Sequence, residues 1–173
     1  LSGEGELVIK AKKLMPRILG PSGKTTPVDI GYVGEVDRVD TEVIRKITRR
    51  NRVPVIAPLG EDKKGNVYNI NGDLAAGSIA SALQAEKLVF LTDVEGIMSR
   101  SDRRQIFSSL KKEDIVRLME EETIAGGMIP KVTAGIHALE NGVRKVHIID
   151  GRIKHSLLLE IFTDKGIGTE IVN

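Results

Sequence analysis

The chain of 173 residues contains no cysteine and no tryptophan. Without a thiol there is no disulfide framework, no thiolate metal site and no cysteine nucleophile. Aromatic residues make up only 3% of the sequence, which leaves few platforms for stacking nucleic-acid bases. The 26 Lys and Arg residues are nearly matched by 24 Asp and Glu, for a formal net charge of +2. That balance lacks the electrostatic footprint of a dedicated nucleic-acid binder. No apolar run approaches a membrane span, and no charged-then-apolar leader opens the chain. A cytoplasmic protein with neither nucleic acid nor membrane as partner is the expectation, and no resident metal site is expected.

A complete glycine-rich phosphate loop is also missing. Gly23-Lys24-Thr25 has the ending of one, but Ile18 stands where the motif needs its first glycine. The motif also needs a helix to begin at the lysine. Here Thr26-Pro27 follows, and a residue before proline is pushed away from helical geometry. Gly3-Glu4-Gly5 and Gly166-Ile167-Gly168 likewise complete no dinucleotide fingerprint. All three are expected to be surface turns.

What is present reads as a folded domain, 40% hydrophobic and 29% charged. Its most informative stretch is Asn69-Ile70-Asn71-Gly72-Asp73, followed by small residues at helical spacing as far as Leu83. Short polar side chains at a strand-to-helix junction can aim at a ligand with little loss of rotamer freedom. The same residues also serve as ordinary helix caps and turns. The Ala, Gly and Ser residues that follow allow close approach to a sheet or another helix.

Strands and helices alternate along the chain. Residues 7–9 and 13–14 read as short strands. Asp40 caps a helix over 41–50, and 53–57 read as an apolar strand with Pro54 near its start. Residues 60–65 form a charged hairpin tip, and 87–92 are a continuous apolar run typical of a buried strand. Helices follow within 111–122 and over 131–141, the latter ended by Gly142. A strand at 145–149, a short helix at 156–162 and a last strand at 170–172 complete the pattern. Strands separated by helices imply an α/β fold with a mainly parallel sheet flanked by helices.

Two segments add chemistry. Asp93-Val94-Glu95-Gly96-Ile97-Met98 follows the buried strand at the carboxyl end, where open α/β sheets bind ligands. Gly126-Gly127-Met128-Ile129-Pro130-Lys131 sets a glycine pair before a lysine expected to open a helix. An ammonium group there adds to the positive end of the helix, which suits a polyphosphate. The plain alternative is a solvated surface lysine.

Six blocks, in order, resemble the acetylglutamate kinases within the amino-acid kinase fold. They are Asp29-Ile30-Gly31-Tyr32-Val33-Gly34-Glu35-Val36, Pro54-Val55-Ile56-Ala57-Pro58, Tyr68-Asn69-Ile70-Asn71-Gly72-Asp73, Leu91-Thr92-Asp93-Val94-Glu95-Gly96, Gly126-Gly127-Met128-Ile129-Pro130-Lys131 and His147-Ile148-Ile149-Asp150-Gly151-Arg152. Gly72 stands where the family usually has alanine. The resemblance covers essentially the whole chain and implies a three-layer sandwich. It implies transfer of a phosphoryl group from ATP, with Mg2+, to the side-chain carboxylate of N-acetyl-L-glutamate.

By that resemblance Asn69 holds the acetylglutamate, Asp73 orients the lysines around the phosphoryl group, and Lys131 stabilises that group. Asp93, Val94, Glu95, Gly96, Ile97 and Met98, with Thr123, Ile124 and Ala125, line the nucleotide site. His147, Glu160 and Gly166 resemble the effector site of arginine-inhibited members. Without the family, His147 reads as a core-edge histidine and Glu160 as a solvated helix residue.

The family's first half carries a strand-end lysine, two glycine-rich loops and a substrate-gripping arginine that have no counterpart in this sequence. The chain begins at Leu1 and opens as if in mid-sheet. Residues 1–173 are therefore expected to be the carboxyl-terminal, ATP-binding part of such a kinase, without the amino-terminal substrate lobe. The parent is expected to be a homo-oligomer, and the fragment inactive alone. Related kinases acting on aspartate, glutamate, carbamate or UMP, and a nucleotide- or arginine-binding module without catalysis, are the alternatives.

Overall fold

The computed structural model describes residues 7–19, 23–99, 105–163 and 166–173. The chain divides into two compact units, Leu1–Ala75 and Ala76–Asn173. The Gly3-Glu4-Gly5 motif lies outside the described residues.

The first unit is built on β1 (Ile9–Lys13), β4 (Gly34–Val39), β5 (Leu59–Glu61) and β6 (Val67–Asn69), in the order β4-β1-β5-β6. β1 runs antiparallel to β4 and parallel to β5, and β5 and β6 form a hairpin. Val8, Ile9, Ala11 and Tyr68 are buried in this unit. A separate ribbon pairs β2 (Arg17–Leu19) with β3 (Thr25–Pro27). Gly23-Lys24 thus leads into a strand, not into the helix that a phosphate loop requires.

Helix α1 (Thr41–Thr48) begins where Asp40 accepts the Glu42 N–H at 3.1 Å. Ile44 is its buried residue, and Arg45 and Lys46 sit in its last turn, where cations complement the helix dipole. The strand read over 53–57 does not form: these residues belong to no strand, and the ladder starts at Leu59. Pro54 and Pro58 have no N–H to give a ladder, while Val53 and Val55 are 88% and 79% exposed.

The charged tip of the β5–β6 hairpin is organised by Asp62. One carboxylate oxygen accepts the N–H groups of Lys64 and Asn66, at 2.7 and 3.0 Å. The other accepts the Asn66 side-chain amide at 2.8 Å and the Tyr68 hydroxyl at 2.9 Å. These donors, the Asn66 amide foremost, hold the Asp62 carboxyl down at about 2.

Helix α2 (Gly72–Leu83) crosses the division between the units. Asn71 is its cap, its side-chain oxygen accepting the N–H groups of Asp73 and Leu74 at 3.0 and 3.1 Å. Part of the polar motif before this helix is therefore structural.

The second unit holds β7 (Lys87–Thr92), β8 (Ser109–Lys111), α3 (Lys112–Glu120), α4 (Met128–Glu140), β9 (Lys145–Asp150), α5 (Ser156–Phe162) and β10 (Thr169–Val172). Its sheet runs β7-β9-β10-β8, with β7 parallel to β9, β8 parallel to β10, and β9 antiparallel to β10. Val146 and Ile148 of β9, Val132 and Ala138 of α4, and Ile115 of α3 share one apolar core. The small residues of α2 serve close packing, as a Cβ on Gly77 would lie 2.9 Å from the Ala134 carbonyl oxygen of α4.

The chain is thus α/β, with mixed ladders that are parallel at β1–β5, β7–β9 and β8–β10. No helix among the described residues is long and apolar enough to cross a membrane.

A carboxyl whose folded pKa is depressed stabilises the fold above its unfolded value and loses that contribution as pH falls. Asp62 should therefore contribute fully above its ordinary value of 3.8 and lose its effect toward about 2. Melting temperatures of Asp62→Asn should fall less steeply than those of the parent chain across that window. Parallel pH profiles would remove this role from Asp62.

Candidate functional site

β7 ends at Thr92, whose hydroxyl turns the chain sharply. It donates to the Val94 carbonyl at 2.7 Å and accepts the Val94 N–H at 3.1 Å. The residues that follow form one wall of a cavity of about 410 Å³, in the size range of small-molecule sites. That wall is Val94, Gly96, Ile97, Met98 and Ser99. The opposite wall is Glu122, Thr123, Ile124 and Ala125, which link α3 to α4, together with Met128.

The geometry of both walls is enforced locally. Ile97 accepts the Phe107 N–H at 2.9 Å, and Met98 bridges Ile106. Across the cavity, Thr123 and Ile124 both donate to the Leu118 carbonyl, at 2.9 and 3.0 Å, which folds the end of α3 back. Glu122 sits there at φ 55°, a left-handed position that usually favours glycine.

Of the residues singled out for a nucleotide, Val94, Gly96, Ile97, Met98, Thr123, Ile124 and Ala125 line this cavity. Asp93 and Glu95 do not. Their charges instead favour the protonated Arg152 guanidinium, which the Asp150 carboxylate grips first. Ser99, Glu122 and Met128 line the cavity without having been singled out. Met128 was legible in principle, as an apolar residue just after a glycine pair.

Lys131 was expected to open its helix, but α4 begins at Met128. Lys131 is therefore inside the first turn rather than at its start. Pro130 does not delay the helix, because the first turn has no use for its missing N–H. Asn69 and Asp73 belong to the first unit, Asn69 at the end of β6 and Asp73 in the first turn of α2.

His147, Glu160 and Gly166 do come together. His147 Nδ1 and Glu160 Oε1 share a hydrogen bond at 2.5 Å, with both side chains buried. The other carboxylate oxygen, Oε2, accepts the Ile167 N–H at 2.8 Å. A Cβ on Gly166 would lie 2.9 Å from that same oxygen. Glu160 is thus not the solvated residue it reads as without the family: it is buried, with its carboxylate oxygens against the His147 ring and the Ile167 amide. The 166–168 turn is not a simple surface turn either: it is half-buried, and a Cβ on Gly168 would run into the Ile148 carbonyl oxygen. His147 Nε2 is buried and makes no hydrogen bond.

Residues 6–150 match the amino acid kinase family. The chain belongs to that family. It is 52% identical over 171 residues to an acetylglutamate kinase of Pelobacter propionicus, covering 99% of this chain and 58% of that protein. Two crystal structures of N-acetylglutamate synthase from Neisseria gonorrhoeae share the fold. One, complexed with coenzyme A and N-acetyl-glutamate, matches with a TM-score of 0.83 at 31% identity, over 97% of this chain and 37% of the other. The second, complexed with coenzyme A and L-arginine, matches with the same TM-score of 0.83 at 29% identity, over 99% and 40%. The chain thus spans less than two thirds of these relatives.

In the cavity wall, Gly96 holds a backbone position closed to a side chain. It has φ 155°, and a Cβ there would lie 2.7 Å from Thr169 Oγ1 and 2.8 Å from Ile106 Cγ2. Gly96→Ala should destabilise the second unit by about 1–3 kcal/mol, the usual cost of a strained backbone position. Urea unfolding checks this, and an unchanged midpoint would mean that the turn accommodates a side chain.

Proposed function

We propose that these residues form the ATP-binding part of an acetylglutamate kinase. The observation that carries this reading is the cavity at the carboxyl end of β7, framed by the first turn of the helix bearing Lys131. The 52% identity to an acetylglutamate kinase across nearly the whole chain favours that acceptor over the aspartate, glutamate, carbamate and UMP alternatives. A cytoplasmic, homo-oligomeric parent belongs to the same reading.

In this reaction an oxygen of the side-chain carboxylate of N-acetyl-L-glutamate attacks the γ-phosphorus of ATP. The bond from that phosphorus to the bridging oxygen breaks, leaving ADP and N-acetylglutamyl 5-phosphate. The attacking carboxylate is already ionised at neutral pH, so no general base is required. Positioning and charge neutralisation do most of the work in phosphoryl transfer. The apolar side chains of Ile97, Met98, Ile124 and Met128 suit the base and sugar of a nucleotide. Lys131 is assigned to the transferring phosphoryl group, Asp73 to orienting the cations around it, and Asn69 to the acetylglutamate.

Among the described residues no group of three or more His, Asp and Glu side chains could cage a metal. Magnesium would neutralise the charge of the nucleotide's phosphates.

Calorimetry with ATP and magnesium tests the reading on the 173-residue chain. Weak binding without turnover is expected, and no binding at millimolar nucleotide would overturn it. In the full-length enzyme, Lys131→Ala should lower turnover by about 10²–10³, as for loss of one preorganised donor. A change within about threefold, roughly 0.65 kcal/mol of barrier, would remove Lys131 from that role.

Arginine inhibition is a second reading, favoured by the convergence of His147, Glu160 and Gly166. The gonococcal synthase crystallised with L-arginine lends it further support. A guanidinium or ammonium group would compete with His147 for Glu160, loosening α5 from β9. Glu160→Ala in the full-length enzyme should raise the inhibiting arginine concentration roughly ten- to a hundredfold. Superimposable inhibition curves would return Glu160 to a purely structural role.

A further inference from the structure

We propose that Thr169 is a positioning residue of the nucleotide cavity, its hydroxyl holding residues 96–98 in the shape that accepts a nucleoside triphosphate. The inference rests on the reading of that cavity as the nucleotide site. Thr169 is the first residue of β10 and has no exposed surface. Its Oγ1 accepts the Ile97 N–H at 2.8 Å, a buried bond between segments 72 residues apart. Thr169 does not line the cavity. Its hydroxyl acts from behind the wall, so it shapes the site without touching the ligand.

Three observations make this bond more than a local filler. The carbonyl of Ile97 is tied as well, accepting the Phe107 N–H at 2.9 Å. Both backbone polar groups of Ile97 are thus committed, and the wall has little slack. Gly96 lets the turn approach closely enough for the bond, since any Cβ there would lie 2.7 Å from the hydroxyl oxygen. Thr169 is itself held in place by its pairing with Ile148, and just before it the Ile167 N–H is fixed by Glu160 at 2.8 Å.

Valine has nearly the shape of threonine but accepts no hydrogen bond. In Thr169→Val the Ile97 N–H would be left buried without its acceptor, and the wall would relax to find another. Serine keeps the acceptor and loses only a methyl group. Shape and hydrogen bonding therefore separate cleanly at this position.

The test is calorimetric titration of the 173-residue chain with ATP and magnesium, comparing Thr169→Val, Thr169→Ser and Ile171→Val. Ile171 is a fully buried β10 neighbour outside the cavity lining, so its variant loosens the strand without removing the bond. Thr169→Val should weaken nucleotide binding about tenfold, the effect of one lost positional hydrogen bond. Thr169→Ser should bind within about threefold of the parent chain, and Ile171→Val should bind unchanged.

Equal affinity in Thr169→Val would overturn the proposal, as would an equal loss in Ile171→Val. Failure of the parent chain to bind would overturn the nucleotide reading and this inference together. Unaltered binding in Thr169→Val would overturn the inference alone. Should Thr169→Val not fold, amide exchange in the parent chain decides. The Ile97 N–H should be protected before nucleotide is added, and exchange as fast as in exposed loops would refute the bond.

Discussion

The second unit depends on the burial of β9 between β7 and β10. Every residue from Val146 to Asp150 is buried, although the strand carries a histidine and an aspartate. Burying a polar or charged group without a partner costs more than an ordinary apolar contact returns. Each must therefore recruit one. Asp150 takes the fork of Arg152, whose Nε and terminal nitrogen donate at 3.0 and 2.8 Å and hold the carboxyl below its usual range. His147 takes Glu160. That second demand explains an unusual helix. α5 turns Ser156 and Glu160 inward and leaves Leu157, Leu158 and Phe162 exposed.

The strands beside β9 lead to the cavity wall. β7 and β10 flank β9 on either side, and each contributes an end to the site. Thr92 turns the chain out of β7, and Thr169 at the start of β10 reaches back to Ile97. Glycine at residue 96 and left-handed backbone at Glu122 place two costly conformations at the cavity. Such sites persist only where the surroundings over-determine them, and here two hydrogen bonds at Ile97 and two into the Leu118 carbonyl do so.

Much of this architecture was legible because local signals agreed with tertiary demands. The apolar run at β7, the Asp40 cap of α1 and the extent of α5 all follow from sequence alone. Residues 53–57 misled because an apolar run resembles a strand even where prolines deny it a ladder. Lys131 misled by its position after proline, which the first turn of a helix tolerates. The burial of Glu160 was hidden for a different reason. A carboxylate among leucines carries no local sign that a histidine on a distant strand will claim it. Thr169 escaped notice likewise, since its partner is set by the register of β9 and β10 and not by any motif.

The first turn of α4 differs from those of the helices before it. α1, α2 and α3 each carry a carboxylate in their first turn, which answers the positive end of their dipole. α4 and α5 have none there, and Lys131 stands in the first turn of α4. Gly126 and Gly127 precede it with open space where a Cβ would stand. A folded chain selected for stability alone would gain from an acidic residue at this position, worth about 0.3–1 kcal/mol. Leaving the turn without one forgoes that gain beside the wall formed by Ala125 and Met128. On the proposed reading the phosphates of a nucleotide would supply negative charge at this turn, where the helix dipole favours an anion.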